Sequence, residues 1–191
     1  MAPMTPSDPT SAPAPDLGGV VVITGIMASG KSTVAQALAE RLPKAAHVRG
    51  DVYRRMIVSG GLEYEPGAGA EAEAQLRLRY RLSASTADAY ADAGFTAVVQ
   101  DVILGEELKT YTDLVRTRPL YVVVLAPRPD VVAAREAGRG KTGYGAWTVE
   151  DLDTGMRDTT PRIGLWLDSS EMSVEETVDA VLAGREAARV S

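Results

Sequence analysis

The sequence predicts an α/β fold in which a five-stranded parallel sheet is doubly wound, with helices on both of its faces. Three observations predict it. Five short apolar runs have the length of buried strands, helical segments separate these runs, and polar or charged residues follow the runs directly. A length of 191 residues is enough for one such domain with its own core, so we expect a single domain.

The first half of the chain contains two of the strands and three helices. The strands are predicted over 19–24 and 45–49, and the helices over 33–41, 52–58 and 71–93. A pair of glycines ends the second helix, and a glycine-rich loop follows over 61–70. The third helix carries an apolar stripe at helical spacing, formed by Leu76, Tyr80, Ala84 and Ala87. This stripe predicts which face of the helix packs on the sheet.

The second half continues the alternation. Strands are predicted over 95–100, 119–125 and 163–167, and helices over 106–116, 130–137, 149–157 and 174–188. The run Leu-Tyr-Val-Val-Val-Leu within the fourth strand is typical of the interior of a parallel sheet. Ser173 and Glu176 have the spacing of a capping box, which sets the start of the last helix. Residues 138–145 form a second glycine-rich loop.

The most specific motif follows the first strand. Residues 25–33 read Gly-Ile-Met-Ala-Ser-Gly-Lys-Ser-Thr, a complete match to G-x-x-x-x-G-K-[ST]. In such a loop the glycines let the backbone turn its N–H groups toward phosphates, and the dipole of the following helix adds positive potential. The alternative is a chance match, but a strand before the motif and a helix after it favour a phosphate-binding loop.

The motif assigns roles to its residues. Lys31 is expected to reach the β and γ phosphates, and the hydroxyl of Ser32 to bind Mg²⁺. Thr33 then begins the helix. The predicted nucleotide contacts in the loop are Gly25, Met27, Ala28, Ser29, Gly30, Lys31, Ser32 and Thr33. We therefore predict a nucleoside triphosphate, ATP or GTP, with Mg²⁺ as cofactors.

Composition narrows the class of partner. The formal net charge is -6 and the pI is near 4.9, so the overall field repels nucleic acids and anionic membranes and favours a small-molecule partner. The absence of cysteine excludes disulfides and thiolate chemistry and fits a reducing cytoplasm. No apolar stretch has the length of a membrane span, and no export signal is visible. Residues 1–18 carry five of the eleven prolines, so we expect a disordered tail before a domain over 19–191.

The chain resembles the small P-loop kinases of metabolites and antibiotics, such as gluconate kinase, shikimate kinase and chloramphenicol phosphotransferase. The resemblance covers roughly residues 19–185. It rests on the phosphate loop, on Gly-Asp-Val-Tyr-Arg-Arg at 50–55, on Asp101 after the third strand and on a short arginine lid over 135–141. It implies a P-loop NTPase fold of the nucleoside monophosphate kinase-like type, and transfer of a phosphoryl group from ATP to a hydroxyl.

The same resemblance implies that Asp51 accepts the proton of the acceptor hydroxyl while Arg54 steadies the acceptor or the phosphoryl group. The chemistry agrees, because phosphoryl transfer is governed by positioning and electrostatics and one carboxylate beside the hydroxyl suffices as base. The alternative for Asp51 is a helix N-cap. We expect Asp101 to hold Mg²⁺ through water or to orient the acceptor; its alternative is to cap the next turn.

Arg135 and Arg139 lie four residues apart, with Lys141 beyond, and are expected to close over the phosphates as a lid. The resemblance places Arg135 near the adenine and Arg139 at the transferring phosphate. The alternative for Arg135 is an ion pair with Glu136 or Asp130 on a solvated helix face. The adenine is also expected near Asp168 and Ser169, although strand ends attract Asp and Ser in any case.

The acceptor site is expected between the loop 61–70, the helix after it and the turn 102–107. Tyr64, Tyr80, Met56 and Leu104 would give a mixed pocket, which predicts a neutral, hydroxylated small molecule. The resemblance makes this acceptor an antibiotic or another secondary metabolite, with resistance as the outcome. The arginines at 77, 79 and 81 are interpreted mainly as a solvated face, with one of them a candidate for the acceptor site.

Two other functions remain open at this level. One is a nucleoside, nucleotide or polynucleotide-end kinase, which would use the same loop, Asp51 and Arg54. The other is an NTP-driven regulatory or toxin-like switch, which would need an apolar surface for a partner. The sequence does not predict the oligomeric state.

Overall fold

The computed structural model describes residues 16–65, 67–138 and 147–190. Five parallel strands form the sheet in the order β2-β3-β1-β4-β5. The strands are β1 (Val20–Thr24), β2 (Ala45–Arg49), β3 (Thr96–Gln100), β4 (Leu120–Leu125) and β5 (Leu165–Leu167). The predicted five-stranded parallel sheet is therefore confirmed, and four of the five strands differ from the predicted ranges by at most one residue.

Eight helices connect or follow these strands in the described parts of the chain. They are α1 (Lys31–Arg41), α2 (Gly50–Arg55), α3 (Ala70–Asp92), α4 (Glu106–Leu114), α5 (Pro129–Ala137), α6 (Val149–Thr159), α7 (Val174–Ala183) and α8 (Arg185–Ala188). The predicted bounds of α2, 52–58, differ from those observed. The helix begins directly after β2 and ends at Arg55, several residues before the glycine pair. As a result Asp51 lies inside the first turn of α2, and Arg49 is the N-cap.

The end of the chain differs from the prediction. The last helix is interrupted at Gly184, after which α8 leads into a sixth strand, β6 (Arg189–Val190), which pairs antiparallel with the start of β4. A Cβ on Gly184 would lie 2.7 Å from a methyl carbon of Leu165, so glycine allows a close approach between α7 and β5. Neither this approach nor the pairing with β4 is local in sequence, and the sequence pattern therefore did not indicate them.

Alternate residues of the strands form two cores, one on each face of the sheet. On one face, Val20 and Val22 pack with Tyr80 of α3, Tyr111 of α4 and Met156 of α6. On the other face, buried strand residues pack with α1, α7 and α8, through side chains that include Val21, Ile23, Leu38 and Val178. The apolar stripe predicted for α3 is buried here, which confirms its orientation. Leu17, which the sequence placed in the disordered tail, is also buried, and its carbonyl accepts a hydrogen bond from Tyr121.

The carboxyl ends of the parallel strands meet at one edge of the sheet. Ile23 of β1 is in register with Gln100 of β3, and Gln100 is in register with Arg49 of β2. The phosphate loop after β1, the segment with Asp51 after β2 and Asp101 after β3 therefore begin at the same edge of the sheet. None of the described helices has the length and apolarity needed to cross a membrane.

Asp88 connects α3 by hydrogen bonds to the turn that precedes β4. It is 2% exposed, and its carboxylate accepts hydrogen bonds from the backbone N–H groups of Arg116 and Thr117 and from the Thr117 hydroxyl. Burial by itself would raise the pKa of this carboxyl, but the hydrogen bonds from Thr117 and Arg116 outweigh it and hold the pKa below its usual value. The carboxylate thus contributes stability while it is ionised.

Asp88→Asn is expected to lower the free energy of unfolding at pH 7 by about 1–3 kcal/mol, because an amide cannot accept all of these hydrogen bonds. The wild-type advantage should shrink as the pH falls below about 3.9, the usual pKa of an aspartate in an unfolded chain, and should be lost below the lower pKa of the folded protein, where the native carboxylate becomes protonated. Urea titrations at pH 7 and at acid pH test this. Asp92→Asn, at an exposed position, is the control. An equal loss for Asp88→Asn at both pH values would contradict the prediction.

Candidate active site

The phosphate loop connects β1 to α1 by a turn that requires glycine. Gly25 and Gly30 have φ angles of 144° and 96°, and Ala28 between them has a φ of 59°. A Cβ on Gly25 would lie 2.4 Å from the carbonyl oxygen of Leu125 and 2.9 Å from the hydroxyl of Ser29. Other residues at position 25 would therefore displace the loop from β4. The sequence expectation of a tight, glycine-dependent turn agrees with this geometry.

The loop directs its polar groups to the start of α1. Lys31 is 7% exposed, and its Nζ donates a hydrogen bond to the carbonyl oxygen of Ile26 at 2.6 Å, so the ammonium spans the loop. No side chain caps α1 at Gly30, and its first turn contains no acidic residue. The first N–H groups of a helix lack intrahelical partners. This end of α1 is consequently suited to bind an anion.

Gln100 is a site residue that sequence reasoning missed. Its Oε1 accepts a hydrogen bond from the hydroxyl of Ser32 at 2.7 Å. In P-loop NTPases the metal ion is held by the loop Ser or Thr and by an aspartate from a neighbouring strand. Here an amide oxygen from β3 meets the loop serine. Its position could have indicated this role, because Gln100 is the last residue of an otherwise apolar strand, and that strand pairs directly with β1.

Asp101 is engaged elsewhere, which corrects the expectation that it serves Mg²⁺. It is 2% exposed, and both of its carboxylate oxygens accept hydrogen bonds from the guanidinium of Arg79. One of these oxygens also accepts from the backbone N–H of Val102 at 2.8 Å. Arg79 is therefore not part of a solvated face: of the three alternating arginines, it is the one that lines a cavity of about 870 Å³.

The position of Asp101 explains why residue 50 is glycine. A Cβ on Gly50 would lie 1.9 Å from Oδ2 of Asp101. Gly50→Ala is therefore expected to disrupt the buried Arg79–Asp101 ion pair and to destabilise the fold by about 1–3 kcal/mol, measured by urea denaturation. Gly155→Ala in α6, where a Cβ meets nothing within 4 Å, is the matched control and should be neutral or stabilising. Wild-type stability in Gly50→Ala would show that Asp101 can move aside.

A cavity of about 870 Å³ opens beside the carboxyl ends of the strands. Its walls come from α2, the loop after α2, α3, the turn that follows β3, and α6. The four residues that the sequence assigned to a mixed pocket, Tyr64, Tyr80, Met56 and Leu104, all line it. The wall contributed by α6 was not predicted; it includes Trp147, just before that helix, together with Leu152 and Met156. Leu152 and Met156 lie four residues apart, which is the spacing that could have indicated a common apolar face.

Asp51 and Arg54 both line this cavity. Arg54 forms an ion pair with Glu63, whereas Arg55 is 69% exposed and pairs with Asp51 one helical turn away. The structure thus brings Arg54, the arginine that the sequence assigned to the site, to the cavity and leaves Arg55 at the surface. Asp51 is not the N-cap of α2, so the N-cap alternative for this residue is wrong.

Tyr80 contributes a wall rather than a reactive group. It is 3% exposed, its hydroxyl donates to the carbonyl oxygen of Val102 at 2.8 Å, and its ring packs edge-to-face on Tyr111. Burial raises the pKa of its hydroxyl. Any contact of Tyr80 with an acceptor is therefore expected through its ring and not through its hydroxyl. Tyr64, in contrast, is 49% exposed and accessible from solvent.

A second cavity, of about 250 Å³, lies on the other side of the phosphate loop. Ala28, Ser29 and Gly30 of the loop line it together with Arg135 and Ser169. The Arg135 guanidinium reaches the carbonyl oxygens of Ser29 and Ser169 at 3.5 and 3.3 Å. The structure thus brings both residues to the loop, where the sequence placed the nucleotide.

Asp168 is not among the residues that line this second cavity. Its carboxylate accepts hydrogen bonds from the hydroxyl and the backbone N–H of Ser170, and these bonds lower its pKa. Asp168 therefore caps its own turn, and its contact with the nucleotide stays a prediction. The lid residues Arg139 and Lys141 lie outside the described residues.

Known proteins share the family and the fold of this chain. A family model described as "AAA domain" matches residues 20–159, and no curated protein sequence matches the chain. Among solved structures, a sugar kinase from Janibacter sp. aligns with a TM-score of 0.65 and 20% identity, covering 90% of this chain and 96% of that one.

Two further structures illustrate the range of similar proteins. The APS kinase CysC of Mycobacterium tuberculosis, in complex with AMPPNP and APS, aligns with a TM-score of 0.66 and 20% identity over 90% of this chain and 99% of that one. A tunicamycin resistance protein of Deinococcus radiodurans aligns with a TM-score of 0.62 and 15% identity over 91% and 99% of the two chains. At these identities the likeness establishes the fold, which is that of small P-loop kinases.

Proposed function

The chain belongs to the AAA domain family, and from that premise we propose that it is an ATP-dependent phosphotransferase that phosphorylates a hydroxyl group of a small molecule. One observation carries this proposal: the phosphate loop forms a wall between two cavities. Ala28, Ser29 and Gly30 line the smaller cavity, while Met27 lines the larger one, which also contains Asp51. A terminal phosphate bound by this loop would face the larger cavity, which is the geometry that direct transfer requires.

In this proposal the smaller cavity takes the nucleotide. Arg135 and Ser169 lie beside its base and sugar, and Lys31 and the N–H groups of α1 stabilise the charge of the phosphates. Arg139 is proposed to meet the transferring phosphate from the lid. The kinase-like fold and these contacts support ATP.

The residues around Ser32 fit a magnesium ion. Ser32 and Gln100 provide oxygen atoms next to each other, and Mg²⁺ prefers oxygen ligands that it completes with phosphate oxygens and water. When bound there, Mg²⁺ neutralises charge on the phosphates. Among the described residues, no group of three or more His, Cys, Asp and Glu side chains could hold a metal ion, so the nucleotide itself must provide part of the coordination.

Asp51 is the proposed base. Its side chain lines the larger cavity from the first turn of α2. It would accept the hydroxyl proton as the oxygen attacks phosphorus, while Arg54 at the same wall orients the acceptor or the phosphoryl group. The ion pair of Arg54 with Glu63 holds its guanidinium at this wall.

The acceptor is proposed to be an antibiotic or another secondary metabolite, and the protein to act in the cytoplasm, where ATP is available. The large and mostly apolar lining supports such a molecule over a small, highly polar one. The experiment is ATP consumption with Mg²⁺ against a panel of hydroxylated antibiotics, sugars and nucleosides, with mass spectrometry of each acceptor. One added phosphoryl group on a panel member establishes the activity. ADP formation without a modified acceptor would favour a hydrolytic switch, and modification of a nucleoside or an oligonucleotide end would favour the other kinase class.

A further inference from the structure

We propose that the acceptor is a bulky, largely apolar alcohol that carries no negative charge and donates a hydrogen bond to Glu107. This inference rests on the proposed function, because it takes the larger cavity to be the acceptor site. It names the chemical class of the acceptor. It also adds Glu107, at the start of α4, as a residue that binds the acceptor.

The size and lining of the cavity set the bulk of the acceptor. A volume of about 870 Å³ is that of a site for a drug-sized ligand. Apolar surface continues from the interior onto the rim, where Met56 is 64% exposed, Tyr64 49% and Leu62 43%. Exposed apolar side chains grouped at the mouth of a cavity lose water when an apolar ligand covers them, and this favours binding. A small polyol would leave this rim uncovered.

The charges of the lining exclude an anion. The described residues that line the cavity include two arginines, and each is already paired: Arg54 with Glu63 and Arg79 with Asp101. The carboxylates in the same lining are more numerous than these arginines; they are Asp51, Glu63, Glu65, Glu107 and Asp151. Among the described lining residues, a carboxylate or phosphate on the acceptor would meet no unpaired arginine and would be repelled by the carboxylates. A neutral or protonated donor group would be accepted.

Glu107 gives this preference a specific partner. It is the second residue of α4. Its Oε1 lies 3.6 Å from Nε of Arg77 at the surface. Its Oε2 is buried and has no hydrogen-bond partner among the described residues. A buried acceptor oxygen without a donor costs free energy. The Glu107 side chain lines the cavity and is 32% exposed, so its carboxylate would turn toward a bound acceptor and receive a hydrogen bond from a hydroxyl or amine.

The test uses three biphenyl methanols that differ only at the far ring, which bears a methyl group, an aminomethyl group or a carboxylate. Binding to the full-length protein is measured by calorimetry, and phosphoryl transfer is followed separately by mass spectrometry. The variants are Glu107→Gln and, as a matched control, Glu106→Gln, which removes the same charge from the exposed neighbouring position on α4. Thermal unfolding of each variant confirms that it is folded.

We expect the aminomethyl compound to bind best and the carboxylate to bind worst. Glu107→Gln should weaken the aminomethyl compound by about tenfold, with little effect on the methyl compound, because one charge-assisted hydrogen bond is lost. Glu106→Gln should change neither. Three results would each overturn the inference: no binding of any compound, equal binding of the carboxylate, or the same change in both variants. Binding without phosphoryl transfer would instead count against the proposed kinase activity and leave the binding inference standing.

Discussion

Lys31→Ala is expected to abolish nucleotide-dependent phosphoryl transfer, with a loss in kcat/KM on the order of 10³ or more. Lys31 is buried at the base of the phosphate loop, and its ammonium spans that loop to the carbonyl of Ile26. In the nucleotide complex the same ammonium would lie against the phosphates and stabilise the negative charge that spreads over them during transfer. Among the described residues no lysine lines either cavity, so no second ammonium is placed to replace Lys31. The measurement is product formation at saturating MgATP.

Lys109→Ala is the control for this variant. Lys109 is exposed on α4 and pairs only with Asp113, so its loss should leave activity at the wild-type level. Because Lys31 also contributes a hydrogen bond to the loop, thermal unfolding must show that Lys31→Ala remains folded. Turnover by folded Lys31→Ala at the wild-type rate would mean that the loop does not act on the transferred phosphate.

Asp51→Asn is expected to keep ATP binding and to lower the rate of transfer by about 10² to 10⁴, the usual contribution of a general base. The amide preserves the shape of the side chain but cannot accept the hydroxyl proton. Asp51 lies in the larger cavity, away from the cavity that contains Arg135, so the nucleotide affinity should change little. Titration with ATP and single-turnover transfer measure the two effects separately.

The carboxylate of Asp51 also pairs with Arg55, so the variant removes an ion pair as well as a base. Arg55→Gln removes the same ion pair and leaves the carboxylate in place; it should transfer phosphate at nearly the wild-type rate. If Arg55→Gln lost as much activity as Asp51→Asn, the ion pair would be the important feature and the assignment of the base would be wrong. Wild-type transfer by Asp51→Asn would contradict the base directly.

The nucleotide half of the candidate site could be predicted closely from the sequence. The phosphate loop is one contiguous segment, and its motif specifies both the turn and the residues that act. The acceptor half was predicted in part. Tyr64 and Leu104, which were expected in the acceptor pocket, do line the larger cavity. Trp147 and the α6 wall were missed because they are distant in sequence from Asp51.

Asp101 and Asp168 illustrate why the role of a carboxylate at the end of a strand is hard to predict from sequence. Asp101 and Asp168 both follow strands, and in sequence they look like equivalent site residues. In the structure Asp101 binds Arg79, and Asp168 binds Ser170. A carboxylate at the end of a strand can point to a ligand, to a neighbouring helix or to its own turn, and only the contacts around it select one of these.

The sequence by itself determined the doubly wound parallel sheet, the phosphate loop and the edge at which the site forms, because hydrophobic periodicity and a contiguous motif are local properties of the chain. The tertiary structure alone decided that Gln100 rather than Asp101 meets Ser32, that Gly50 makes room for the Arg79–Asp101 pair, and that the loop separates two cavities. These features join residues from different strands and helices. Their distances follow from strand register and helix packing, which a one-dimensional pattern does not contain.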